Sequence, residues 1–423
     1  MTRPPVANCT ARSAAAAALT AALYFGLCEV ASCAATGFLI YNQHAAANAS
    51  AIAYTAQVDT PSAVFYNPAA LSRLGGTQAS CGGTVIIPRT TFTSDATGSS
   101  SRMKHHTYLL PAVYLTHQLN ERFSIGLGCF SHFGLSTDWS DDWEGRWIST
   151  LAELKTFFLN PVVSYRVSPA FSVALGISPV YSTLRFKKTL QLTPRHRPLG
   201  TADFEARGSS CGFNLALLYQ ANNRLTFGIS YRSAMDITLD GDADFTAASL
   251  IKPLLPRGDA DIEIELPPIL AGGIAVRITE RLTMEFDLIW VGFSSFDELF
   301  ADFEGRVSPP VRGQLAPIPR DYKDVLDYAL GARYRASEWL ALRCGFLFDR
   351  SAAPEENVDP ILPDSDKFIA AVGFSIARRR WNLHCSYYAV FSADAHVRRN
   401  RDGFNGTYET YTGLVSVSLD YRF

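Results

Sequence analysis

Fourteen stretches of this chain alternate in side-chain character with a period of two, and the connections between them alternate in length. The candidate strands lie near 77–93, 106–118, 122–135, 151–168, 170–188, 208–221, 224–240, 261–279, 282–298, 322–336, 339–350, 366–378, 381–394 and 410–423. Tight turns at Asn120-Glu121, Ser168-Pro169, Asn222-Asn223, Glu280-Arg281, Ser337-Glu338 and Arg379-Arg380 follow the even-numbered strands. Long polar segments such as 189–207, 241–260, 299–321, 351–365 and 395–409 follow odd-numbered ones. Successive strand side chains point to opposite faces, so this pattern specifies a sheet with two unlike faces.

The last stretch shows the pattern most plainly. Tyr411, Gly413, Val415, Val417, Leu419, Tyr421 and Phe423 alternate with Thr412, Leu414, Ser416, Ser418, Asp420 and Arg422. In a soluble sandwich the apolar face would be the core; in a membrane barrel it would meet lipid and the charges would line the lumen. Alternation alone does not choose between the two. Short turns on one side, long loops on the other and an even strand number select an outer-membrane barrel. An open edge in hydrocarbon would leave backbone groups unpaired at several kcal/mol each, so a spanning sheet has to close. The expected fold is therefore all-β, a fourteen-stranded antiparallel transmembrane β-barrel in a bacterial outer membrane, facing lipid. Composition agrees: 48% hydrophobic, 12% aromatic and only 18% charged residues, with a net charge of −2 that argues against a nucleic-acid partner.

The N-terminus reads differently. Arg3 and Arg12 precede the uncharged run Ser13 to Cys28, and Cys33 and Ala35 stand where a signal peptidase would read, so 1–35 is expected to be a signal peptide. A competing reading makes Val30-Ala31-Ser32-Cys33 a lipoprotein box with Cys33 lipidated. The alanine-rich segment 36–76 is expected to form a small N-terminal hatch, or plug, and 77–423 the barrel. No later run is long and apolar enough for a transmembrane helix. Cys81, Cys129, Cys211, Cys344 and Cys385 are scattered singly, and the histidines have no metal-ligand spacing, so neither a disulfide framework nor a metal or cofactor is expected. No GxSxG or comparable catalytic constellation stands out. Phe423 ends the last strand and is expected to address the barrel-assembly machinery.

Several short motifs, in order, then carry a family likeness. Phe65-Tyr66-Asn67-Pro68-Ala69-Ala70-Leu71, Gly134-Leu135-Ser136-Thr137-Asp138-Trp139 followed by Trp143-Glu144-Gly145-Arg146-Trp147, Asn160-Pro161, Leu218-Tyr219-Gln220, Ser230-Tyr231-Arg232-Ser233, Leu266-Pro267 and Pro363-Asp364-Ser365-Asp366-Lys367 together resemble the FadL-type outer-membrane transporters of long-chain fatty acids and other hydrophobic compounds. The resemblance implies a barrel blocked on the periplasmic side by its hatch, with no open aqueous pore. It also implies that substrate is caught among outer loops, passes to an internal apolar pocket and leaves sideways at a distorted third strand. A monomer is expected, with a long-chain fatty acid or another hydrophobic small molecule as ligand and no enzymatic activity.

The residues themselves offer candidates, each with a plainer alternative. Phe245, Leu250, Ile251, Leu254 and Leu255 are apolar for an outer loop and could form a substrate groove or pack on neighbouring loops. Gly126, Gly128 and Gly134 in the third strand could weaken the wall for lateral opening, or make room for the hatch. Asn67, Pro68 and Ala69 suit a tight turn wedging the hatch against the wall, or an ordinary loop. Arg146 and Lys155 are carboxylate-binding candidates, set against an inward network in which Arg166, Arg232, Glu285, Asp287, Arg343 and Asp420 pair with one another. Two other readings of the whole stay open, a barrel that hydrolyses lipids and a surface adhesin or polar porin.

Overall fold

A computed structural model describes residues 37–191, 198–247, 255, 259–303 and 318–423. The signal-peptide assignment therefore lies outside the described residues. Twenty-one strand segments, joined where collinear, make fourteen wall strands of a closed antiparallel barrel. The first wall strand, Thr77–Ser94, pairs on one side with Tyr108–Gln118 and on the other with the last strand, Gly406–Arg422, in a ladder from Gln78↔Arg422 to Ser94↔Gly406. That ladder removes the last open edge.

The facing of the strands answers what alternation left open. Val415, Val417 and Leu419 are exposed by 40–47%, while Ser416, Ser418 and Asp420 between them are buried at 1–4%. Phe286 and Leu288 likewise face outward, and Glu285 and Asp287 face the lumen. Apolar residues thus clothe the outside, and the charged residues of these strands face the inside.

The short turns share a local device. Asn120 Oδ1 accepts the N–H groups of Arg122 and Phe123, both at 2.9 Å, and Asn222 Oδ1 accepts those of Arg224 and Leu225. Thr279 and Ser337 hydroxyls do the same for Leu282 and Leu340. A short polar side chain that bonds its own backbone closes a turn with few residues. In the Arg379-Arg380 turn, Arg379 takes the left-handed conformation at φ 52°.

Several expected boundaries move. The fifth and sixth strands extend to Phe171–Leu190 and Gly200–Gln220 and pair to Leu190↔Gly200, so most of the expected loop 189–207 is a projecting hairpin. The seventh strand, Leu225–Arg232 and Met235–Ala247, runs well into the expected loop 241–260. The eighth, Asp259–Leu266 and Ile269–Arg277, is interrupted at Pro267-Pro268, since proline cannot donate to the ladder.

Residues 37–74 fill the lumen with two short helices, Ala45–Ala49 and Ala63–Tyr66, a 3₁₀ turn, Pro68–Arg73, and irregular chain. Nearly every residue from Gly37 to Leu74 is buried. Glycines on the inner wall make room for it. A Cβ at Gly126 would stand 2.6 Å from Val64 and 2.9 Å from Leu71, and one at Gly331 would stand 2.9 Å from the Ser50 carbonyl. At Gly345 it would run into that same carbonyl, and at Gly373 into Ala49.

Candidate functional site

The third wall strand is split into Phe123–Phe130 and Gly134–Asp138. Between the pieces, Ser131–Phe133 turns inward and pairs with the start of the hatch. Leu39 bridges Phe133, Ile40 N–H donates to His132 O at 2.8 Å, and Gly134 N–H donates to Phe38 O at 2.8 Å. Thr156 on the fourth strand, Leu151–Arg166, supports the turn: its hydroxyl donates to Phe133 O at 2.6 Å. Among the described residues the ladder between the second and third strands runs over Val113–Gln118, and the second strand continues past the break as Tyr108–Ala112. The Tyr108 and Ser136 hydroxyls span it at 2.8 Å.

Behind the break lies a row of aromatic rings. Phe38 contacts Phe133 and Phe296 at centroid distances of 5.7 and 5.0 Å; Phe130 stacks on Phe158 at 5.8 Å and meets Phe65 of the hatch at 4.9 Å. The Arg232 guanidinium lies over Phe65 and Phe130 and donates to the Phe65 carbonyl at 2.9 Å. Outside this row, Trp139 and Trp143 stack at 4.2 Å, and Trp143 meets Phe404 of a neighbouring outer loop at 5.6 Å. The outer loops thus bring apolar surface together, and bonds such as the 3.1 Å one from Trp139 Nε1 to Pro360 O join them.

The hatch motif sits at a junction. Asn67 Oδ1 caps the 3₁₀ turn by accepting Ala69 N–H, and its Nδ2 donates to Thr55 O at 2.8 Å and to Leu217 O of the wall at 3.1 Å. Pro68 starts the turn, where its missing N–H costs nothing. Gly126 and Gly128 face the lumen, where added Cβ atoms would meet Val64 of the hatch; their geometry matches the room-making alternative. Gly134 lies where the strand resumes after the break.

Other candidates are dispersed. Phe245 belongs to the seventh strand, opposite Ala202, and Leu255 is half-buried; Leu250, Ile251 and Leu254 lie outside the described residues. Lys155 is on the outward face of its strand, paired with Glu153 at 2.9 Å. Arg146 folds onto its own loop, donating to the Asp142 and Trp143 carbonyls. In contrast, Arg320 at the outer end of the lumen is 1% exposed; one nitrogen pairs with Asp359 at 3.0 Å, and among the described residues its Nε and remaining terminal nitrogen have no acceptor.

The inward charges pair chiefly with the hatch and not with one another. Tyr54 and Thr55 N–H groups donate to Asp287, and Ala56 and Gln57 N–H groups to Glu285. Asp59 pairs with Arg333 and, at 3.6 Å, with Arg343. His44, His384 and Asp420 converge, with both histidine Nε2 atoms 3.1–3.2 Å from the carboxylate. By composition these three could hold a metal. However, His44 Nδ1 accepts the Ala46 N–H, which puts the ring proton on Nε2, pointing at Asp420, so the trio acts as a hydrogen-bonded tie between hatch and wall. Sequence reading missed these roles because no local pattern links a strand charge to a plug amide more than two hundred residues away. The one available signal was unpaired charge on the inward face.

A family model described as "Outer membrane protein transport protein (OMPP1/FadL/TodX)" matches residues 27–423. The chain is 28% identical to a "47 kDa outer membrane protein" of Pasteurella multocida, over 86% of this chain and 89% of that one. It is 23% identical to a "long-chain fatty acid transport protein" of Salmonella typhi, over 75% and 77%. Its fold matches the crystal structure of a Pseudomonas aeruginosa FadL homologue with a TM-score of 0.81 at 19% identity, covering 92% of this chain and 100% of that one. The Pseudomonas putida toluene transporter TodX gives 0.71 at 17% identity, again over 92% and 100%.

Proposed function

Because this chain belongs to the OMPP1/FadL/TodX family of outer-membrane transport proteins for hydrophobic compounds, we propose that it takes up long-chain fatty acids. Substrate is gathered among the outer loops, passes along the aromatic row and leaves sideways beside the third strand. The observation that carries this reading is the break at Ser131–Phe133, which interrupts the third strand beside a second-strand ladder that runs over Val113–Gln118, in a barrel whose axis is filled by residues 37–74. A closed axis and an interrupted wall favour lateral exit over axial flow. They also speak against a polar porin.

A polar anchor for the fatty-acid head fits Arg320 better than the sequence candidates. Arg146 Nη1 is shared between two carbonyls of its own loop, and Lys155 faces away from the lumen. Arg320 is buried and has two nitrogens without an acceptor among the described residues, which a carboxylate would satisfy. A groove for the alkyl tail needs no catalytic group, since each buried CH₂ contributes roughly 0.8 kcal/mol.

The test is binding and uptake of labelled oleate by the full chain in liposomes, beside Arg320→Gln and Arg146→Ala. A charge-assisted hydrogen bond is worth roughly 1.5–3 kcal/mol, so Arg320→Gln should weaken binding about tenfold or more. Arg146→Ala should leave it nearly unchanged. Saturable binding of neutral hydrocarbons with none of oleate would overturn the fatty-acid assignment, and unchanged oleate binding by Arg320→Gln would overturn the anchor.

A further inference from the structure

We propose that Glu285 and Asp287 are the pin that holds the hatch: positioning residues whose carboxylates bind four consecutive hatch amides and keep the axial path shut. They stand two apart on the ninth wall strand, in its segment Leu282–Val291, so both side chains enter the lumen on the same face. Both are essentially buried, at 1% and 0% exposure. Asp287 Oδ2 accepts Tyr54 N–H and Thr55 N–H, each at 3.0 Å; Glu285 accepts Ala56 N–H at 2.5 Å and Gln57 N–H at 3.0 Å.

Residues 54–57 belong to no helix or strand. Their amides are therefore not committed to the hatch itself, and without the two carboxylates they would be buried donors lacking acceptors. Buried backbone donors are almost always paired, and successive N–H groups form a natural seat for an anion. The wall is shaped around this contact. A Cβ at Gly273 would stand 3.0 Å from both Glu285 Oε1 and Thr55 Cβ, and one at Gly228 would collide with the Thr55 carbonyl. The next hatch residue with a charge, Asp59, ties to Arg333 and Arg343 on neighbouring strands, so the segment is fixed at both ends.

Other polar contacts of the hatch use fewer backbone amides. Asn48 Nδ2 donates to the hydroxyls of Thr84 and Ser416, Ala45 N–H to that of Ser418, His44 meets Asp420 through its side chain, and Asn67 meets one wall carbonyl. Nowhere else among the described residues do two wall carboxylates hold four successive hatch amides. The proposal rests on the hatch being the axial barrier and is independent of which substrate is carried.

The experiment measures arabinose-driven swelling of liposomes holding the full chain, its Glu285→Ala/Asp287→Ala double variant and a variant lacking 37–74. Barrel folding is checked by heat-dependent gel mobility. The wild type should swell at the protein-free rate, and the double variant at least tenfold faster, approaching the hatchless chain. A folded double variant that stays sealed would overturn the proposal. Should that variant not fold, hydrogen exchange on the wild type decides: the amides of Tyr54, Thr55, Ala56 and Gln57 should exchange at least tenfold more slowly than those of Ala70 and Leu74, whose bonds are local. Equal or faster exchange would refute the pin even if oleate binding is intact.

Discussion

Single residues in this lumen act by what they reach across it. Asn67 uses both ends of its amide, one for the turn it starts and one for the wall. Asn67→Ala should cost about 0.5–2 kcal/mol for the lost cap alone, with more from the two unpaired carbonyls. A fall in the melting temperature of the folded hatch, followed by protease cleavage within 37–74, would check this. Asp59 has a pH signature. Burial pushes its carboxyl up, but Arg333 and Arg343 outweigh that, with help from the Tyr54 hydroxyl, and hold it at about 2. A depressed folded value stabilises above the unfolded value of about 3.9 and is lost as pH falls toward about 2. Hatch protection, read by hydrogen exchange, should therefore decline between about pH 4 and pH 2, and Asp59→Asn should remove that step. The side chain is 43% exposed, so the effect belongs in the range of about 1 kcal/mol or less.

At the scale of the element, the third strand shows how a break is held open. Its Ser131–Phe133 turn exchanges ladder bonds with the fourth strand for bonds to the hatch backbone and the Thr156 hydroxyl. Thr156→Val keeps the shape and removes the hydroxyl, leaving the Phe133 carbonyl and N–H without that partner. The expected result is slower uptake with an intact barrel, measured as oleate entry into liposomes alongside heat-dependent gel mobility. The glycines of the inner wall work in the opposite sense, by subtraction. Gly345→Val would force a side chain into the Ser50 carbonyl, and overpacking of this kind costs roughly 1–3 kcal/mol. Because the clash is with backbone, the hatch has to shift, and a rise in arabinose permeability is the expected readout.

For the molecule as a whole, residues 37–74 fill the lumen of a wall that closes on itself, and we propose that they are its axial barrier. Deleting 37–74 should leave a folded barrel with a conductance absent from the full chain, measurable in planar bilayers; unchanged conductance would return the porin reading to favour. The barrel was legible because its constraint is local and repeated. Period two gives each strand its faces, turn residues such as Asn120 and Asn222 close the short side, and hydrocarbon forbids an open edge, so strand number and closure follow from the sequence by itself. That 37–74 supplies no wall strand was legible in its alanine-rich, non-alternating composition. Only the tertiary structure decided what the inward charges do: Glu285 and Asp287 take hatch amides, Asp59 takes two wall arginines, and Lys155 turns outward to Glu153. The reason is distance along the chain. Alternation says which way a side chain points, but the partner it meets across the lumen is set by stagger, closure and the path of the plug, and none of these leaves a periodic trace in the sequence.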